Sequence, residues 1–390
     1  MGPSDARTGV AEDEATSAPG AGVAGLRVAI AHDWLVSYAG SERCVEELLA
    51  MFPDARLLTT VMNPGRIPGA LARAEVSLLQ RIPGAARHYE KLIPLMPAAW
   101  RLRRRVDDVD LVISSSHACA KAVRVAAGIP HLCYCHTPMR YAWEFELERE
   151  RFPAALRPFV RVLMAAFRRW DRRASARVTE FVANSTDVSR RIADAYGRTA
   201  HVVHPPVDTG YFTPGGTPGD HFVYVGRLVA YKRADLVVEA FRELPHPLKV
   251  IGTGPLEGHL RERATPNIDI MGRREDGELR DVLRTARAFV FPAHEDFGIT
   301  MAESLACGTP VIGLARGGAA DIVDSAEAGI LIEAPTVEAV RAAVGRIAGG
   351  AAAPREELSR RASRFSRARF RDEMAAICLR LARGDGATAR

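Results

Sequence analysis

The sequence predicts an α/β protein built of two open parallel-sheet domains that face each other across a cleft. Three observations predict it. Short apolar, β-branched runs alternate with amphipathic helical stretches along the chain. The runs fall into two series, separated by the Pro205-Pro206 break and the Gly/Pro-rich loop 213–220. The 390 residues, at about 150 per domain, suffice for two to three cores.

The first series of predicted strands comprises 26–33, 55–61, 110–116, 131–136 and 180–185. The second comprises 221–226, 248–254, 267–272, 288–292, 309–314 and 329–333. Helical patterns such as ADLVVEAFREL (234–244) lie between them. This sets one domain at 26–205 and a second at 206–364. A terminal helix at 365–383 could pack on either and is expected on the first. The segments 1–25 and 384–390 read as tails, the first acidic, small and Gly/Ala-rich and therefore expected to be disordered. Ligands of such sheets sit beyond the carboxyl ends of the strands, so two facing domains make a cleft there.

Composition narrows the function. Hydrophobic residues make up 47% and charged residues 26%, an ordinary globular mix that excludes a fibrous repeat or a chain disordered throughout. No run reaches the roughly 18 apolar residues of a membrane span. The first residues lack the basic start and apolar stretch of a signal peptide, so a cytoplasmic location is expected. A net charge of +6 with no aromatic–basic motif does not argue for nucleic acid. The six cysteines contain no C-x-x-C pair and read as buried thiols. Four of the 53 basic residues are lysines (Lys91, Lys121, Lys232 and Lys249), so a lysine here is a candidate for a place where arginine would not serve.

The densest chemical signal is HEDFGITMAE, 294–303, directly after the strand AFVFP. Phe297, Gly298, Ile299 and Thr300 span a helix start, where unpaired N–H groups and the positive dipole end favour an anion. Gly298 allows a phosphate close to the backbone. Glu295 and Glu303 flank this nest and could accept hydrogen bonds from a ribose diol and from sugar hydroxyls. A capping acid and a solvated helical glutamate would look the same. In YVGRLVAYKRADL, 224–236, Arg227 and Lys232 lie five residues apart before a helix and could both reach a diphosphate. His136 ends a strand in CHTPMRYAW, where a side chain would point into the cleft; satisfaction by neighbouring carbonyls is the alternative.

The order of YVGRLVAYKR, VIGTGP, MGR and HEDFGITMAESLACGTPVIG resembles the retaining glycosyltransferases of family 4, which have the GT-B fold of two facing Rossmann-like domains. The spacing Glu295-x7-Glu303 matches that family's paired-glutamate motif. AHDWLVSYAGSERCVEEL, LVISSSHACAKAV and HLCYCHTPMRYAWE resemble the branch of bacterial O-antigen and exopolysaccharide mannosyltransferases. The likeness runs from about 26 to 383.

The resemblance implies roles. His136, Arg227, Lys232 and Glu295 would serve the chemistry, with Glu295 on the hydroxyls of the transferred sugar and the two cations on the leaving diphosphate. Glu303 would hold the ribose. Gly252 and Gly254, with Gly272 and Arg273, would border base and ribose, and the backbone of Phe297 to Thr300 would cradle phosphate. Gly40 would approach from the opposite domain, although relatives often carry Gly-Gly where this chain has Ala39-Gly40. Arg140, Tyr141 and Trp143 would line the sugar or acceptor side, core packing being the alternative for the aromatics. Asp33, Ser116 and His117 end strands and are candidate acceptor contacts.

The expected donor is GDP-mannose, with UDP-glucose or another nucleotide hexose as the alternative. The expected acceptor is a glycan or polyprenyl- or lipid-linked saccharide. No metal and no cofactor is expected, since the D-x-D at Asp108–Asp110 reads as a solvated turn. The clusters Arg101/Arg103/Arg104/Arg105 and Arg168/Arg169/Arg172/Arg173/Arg177 could rest on an anionic membrane or be solvated faces. A nicotinamide dehydrogenase is disfavoured because no G-x-G-x-x-G follows the first strand. A non-catalytic protein keeping the fold is the alternative of a different class.

Overall fold

A computed structural model describes residues 23, 25–144 and 154–384. Most of the expected tails 1–25 and 384–390 lies outside the described residues.

Each half builds a six-stranded sheet. The first contains β1 (Val28–His32), β2 (Arg56–Thr59), β3 (Leu111–Ser116), β4 (His131–Cys135), β5 (Glu180–Ala183) and β6 (Ala200–Val202), in the order β2-β1-β3-β4-β5-β6. The second contains β7 (Phe222–Val225), β8 (Leu248–Ile251), β9 (Ile268–Gly272), β10 (Ala288–Phe291), β11 (Val311–Leu314) and β12 (Gly329–Ile332), in the order β12-β11-β10-β7-β8-β9. Every pairing is parallel. Helices cover both faces, so β1, β3 and β4 are buried throughout and read as unbroken apolar or small-residue runs. β6 escapes the sequence reading because it is a three-residue edge strand with an exposed middle residue, His201, paired to Glu180.

Strand order reverses once in each sheet, between β1 and β3 and between β7 and β10. Loops leaving neighbouring strands in opposite directions open a crevice at such a point. The loops after those four strands carry many of the predicted site residues, among them Gly40, His117, Arg227, Lys232, Glu295 and Gly298.

Five helices shape the cleft and join the domains. They are α1 (Gly40–Met51), α2 (Arg157–Ser175), α3 (Thr186–Tyr196), α4 (Ile299–Ala306) and α5 (Arg367–Ala382). Among the described residues no helix is long and apolar enough to cross a membrane. The chain passes between the domains twice. Val203 belongs to the first core and Val207 to the second; Phe365 belongs to the second and Phe370 to the first. The two passages touch, with Val207 N–H donating to the Phe365 carbonyl at 2.8 Å. Ser366 then caps α5 by accepting from Arg369 N–H. Phe370, Met374, Cys378 and Leu381 form one helical stripe inside the first domain's core, beside Ile30, Leu48 and Tyr134.

Phe370 is fully buried against the Tyr134 ring, 5.7 Å between centroids. Phe370→Ala should therefore cost about 3–5 kcal/mol in denaturant unfolding. A loss under about 1 kcal/mol would show that α5 merely rests on the surface.

Candidate active site

A cavity of about 460 Å³ opens between the carboxyl ends of the two sheets. The first domain contributes the loops after β1, β3, β4 and β5; the second contributes the loops after β7 and β10 and the start of α4. Of the predicted residues, Gly40, His117, His136, Arg140, Arg227, Lys232, Glu295, Phe297, Gly298, Ile299 and Thr300 line it.

Two helix starts meet across this space. Gly298 caps α4 in the left-handed region at φ +90°, a conformation that favours glycine. Gly298, Ile299 and Thr300 line the cavity, so the unpaired N–H groups of this helix start favour an anion there. Opposite, α1 begins at Gly40, and a Cβ built on Gly40 would stand 2.6 Å from Ile299 Cδ1. The single glycine in Ala39-Gly40 is thus the residue that the approach requires, while Ala39 serves as the extended N-cap. Lys232 Nζ lies 2.8 Å from Glu295 Oε1, which orients the ammonium at the same end. Arg227 is exposed and has no ion-pair partner among the described residues.

The first domain supplies a histidine network. His136 is 9% exposed, and its Nε2 lies 2.8 Å from Ser115 Oγ. His32 Nδ1 reaches the same serine, and His32 Nε2 faces Glu42 Oε1 at 3.6 Å. Burial and the neighbouring His117 and His32 push the His136 imidazole down to about 3, so it is neutral near pH 7. His117 stands edge-on to Trp34, 4.4 Å between centroids.

Several expectations need correction. Asp33 does not face the cavity. It is fully buried and its carboxylate accepts four backbone N–H groups, from His117, Ala118, Cys119 and Ala120, at 2.5–2.9 Å. Burial alone would raise its pKa; the His117 and His32 charges and these amides prevail and hold it below the usual carboxylate range. Ser116 is buried too, its Oγ accepting from Lys121 N–H. Trp143 faces away from the cavity, donating from Nε1 to Asp171 at 2.8 Å beneath the Arg172 guanidinium. The side chain of Tyr141 lies outside what the structure describes.

Gly252, Gly254, Gly272 and Arg273 do not line the cavity. A Cβ on Gly252 would stand 1.9 Å from the Gly226 carbonyl oxygen, and one on Gly254 would stand 2.4 Å from that of Leu228. These two glycines let the loop after β8 press against the loop that carries Arg227. Gly272 accepts the Gly252 N–H at 2.8 Å, with φ +72°, and Arg273 is exposed.

Glu303 is 2% exposed and bound at 2.5 Å to Arg43, which comes from α1 of the other domain. Burial outweighs this ion pair and raises the Glu303 carboxyl. The D-x-D carboxylates are ion-paired, Asp108 to Arg56 and Asp110 to Arg27.

The sequence reading missed the contacts that close the domains. Asp296 takes Arg140 at 2.8 Å and Arg191 of α3 at 2.6 Å, His294 takes Asp187 at 3.1 Å, and Asp321 accepts the Thr186 N–H at 2.7 Å. Burial opposes ionisation of Asp296, but the two guanidiniums prevail and its pKa is lowered. Asp296 sat in view inside HEDFG and Arg43 inside AHDWLVSYAGSERCVEEL, each without a role assigned; Arg191 lay in no quoted motif.

Comparison with known proteins agrees with this architecture. Residues 38–211 match the family described as Glycosyltransferase Family 4, and residues 219–349 match Glycosyl transferases group 1. D-inositol 3-phosphate glycosyltransferases of Mycobacterium tuberculosis and Mycobacterium bovis are 28% identical over 215 residues, 48% of this chain and 45% of theirs. The matched stretch thus spans about half the length of these curated relatives. Sucrose-phosphate synthase from Thermosynechococcus elongatus superposes with a TM-score of 0.71 at 16% identity, covering 92% of this chain and 100% of that one. Anabaena HepE in complex with UDP-glucose gives 0.66 at 16% identity, covering 91% and 99%. At such identities the likeness speaks for the fold, and the fold is GT-B. With both halves matched in order, the chain belongs to the family 4 glycosyltransferases.

Proposed function

We propose that the protein is a retaining glycosyltransferase that moves a hexose from a nucleoside diphosphate sugar to a glycan or lipid-linked saccharide. One observation carries this reading: two helix starts, Arg227 and Lys232 converge on one cavity between the sheets. Such a site suits a diphosphate whose negative charge grows as it leaves. Preorganised N–H groups and cations stabilise that charge without reorganising at the moment of reaction. In this reading the acceptor hydroxyl attacks the anomeric carbon from the face the diphosphate departs. The carbon–oxygen bond to phosphate breaks as the new one forms, and the hydroxyl proton passes to a phosphate oxygen. Lys232 and Arg227 neutralise the leaving group, Glu295 serves both Lys232 and the sugar hydroxyls, and no metal is needed. Glu303 can hold a ribose only by sharing its carboxylate with Arg43 or releasing it.

The donor we favour is GDP-mannose, on the motifs of the first domain. UDP-glucose is the second reading, supported by the HepE complex with UDP-glucose. A lipid-linked acceptor is supported by exposed apolar side chains of the first domain. These are Leu95, Leu102, Leu156, Phe159 and Val162. A groove of about 630 Å³ lined by Arg101, Arg124, Arg173 and Arg177 lies on the same domain. Part of the arginine clusters is already engaged: Arg103, Arg168 and Arg172 donate to backbone carbonyls.

Lys232→Ala should lower turnover about 10²–10³-fold with an unchanged unfolding transition, since its work is on transition-state charge. Near-normal turnover would remove Lys232 from the site. Turnover should persist in excess EDTA. In a thermal-shift panel, GDP and GDP-mannose should raise the transition by mass action; a shift with UDP compounds alone would select the second reading. The protein should float with anionic vesicles and less so with neutral ones, and Arg173→Glu/Arg177→Glu should weaken flotation. Equal failure with both lipids would remove the membrane from the proposal.

A further inference from the structure

Among the described residues, only one of the two ring nitrogens of His136 has a hydrogen-bond partner. Nε2 lies 2.8 Å from Ser115 Oγ. Nδ1 has no hydrogen-bond partner among the described residues, and the ring lines the cavity. The position of the proton on this ring is decided one residue further back. His32 Nδ1 lies 3.0 Å from the Ser115 carbonyl oxygen and 3.1 Å from Ser115 Oγ. A carbonyl oxygen can only accept, so His32 Nδ1 is protonated and shares its N–H between the two oxygens of Ser115.

Ser115 Oγ is therefore an acceptor from His32, and its own proton has one acceptor in reach among the described residues, His136 Nε2. The reverse arrangement, with His136 Nε2–H donating, would strand a hydroxyl proton on a fully buried serine. Neutral His136 then carries its proton on Nδ1. The relay is anchored further back still. His32 Nε2 faces Glu42, whose other oxygen accepts the Ala39 N–H and the Ser41 hydroxyl at the start of α1.

We propose that Ser115, held by His32 and Glu42, is a positioning residue that fixes His136 as a neutral Nδ1–H donor facing the ligand. His136 then offers a hydrogen bond to a sugar or phosphate oxygen and cannot take the acceptor's proton through that nitrogen. The titratable groups around the ring are His117 and Asp33 from the ends of β3 and β1, His32, Glu42 of α1 and Tyr134 of β4. His117 and His32 add to burial in keeping the ring uncharged. The consequence for chemistry rests on the glycosyltransferase reading; the tautomer does not.

Nitrogen NMR of histidine-labelled protein, with His136 assigned by its loss in His136→Gln, reads the tautomer directly. The expected result is an Nδ1–H ring in the wild type across the neutral range, changing to Nε2–H in Ser115→Ala. An Nε2–H ring in the wild type, or a ring unchanged by Ser115→Ala, would overturn the proposal. In turnover assays His136→Asn, whose amide nitrogen falls near the place of Nδ1, should exceed His136→Gln by roughly tenfold. The reverse order would also overturn it. An Nδ1–H ring in a protein that turns over no nucleotide sugar would support the relay and defeat the assigned activity instead.

Discussion

The Asp33 carboxylate is the constraint on which the rest of the cavity depends. It ends β1, is fully buried, and gathers four consecutive N–H groups from the turn after β3. A buried charge without partners would be expensive. Here the amides, with His117 at 3.4 Å, supply the compensation. The bond set ties together the two strands between which the order of the first sheet reverses. By fixing that turn it also fixes where His117 and Ser115 stand relative to α1.

A second set of charges spans the two domains. Asp296 with Arg140 and Arg191, Glu303 with Arg43, and His294 with Asp187 all join side chains from opposite sides of the cleft. Several are partly buried, where ion pairs hold geometry more than they add stability. Two of the acids lie within or beside the segment that forms the anion nest. Closing the domains and shaping the nest are thereby the same structural event.

Much of the architecture was legible in the sequence. Eleven of the twelve strands announce themselves because central parallel strands must be apolar on both faces, and the helix start at Gly298 because its turn demands glycine. The edge strand β6 was silent, being short and half-polar. The site was less legible, because a polar residue at a strand end has two destinations that look alike in one dimension. His136 turns into the cleft, whereas Asp33 and Ser116 turn into the domain to satisfy backbone groups. Trp143 similarly went to Asp171 instead of a sugar. Gly252 and Gly254 were read as ligand-facing, yet the space they leave is filled by other backbone. Arg43 and Arg191 were invisible among the many arginines because the acids they take from the other domain, Glu303 and Asp296, are more than a hundred residues away.

The return of α5 to the first domain has a consequence for how the protein is made. Phe370, Met374 and Cys378 complete a core begun by Val28 and Ile30, so that core closes around α5, made after the whole second domain. During synthesis the second domain can finish folding while the first still lacks one wall. The earlier domain to emerge from the ribosome thus stays incomplete, with an open apolar flank, until α5 has been made.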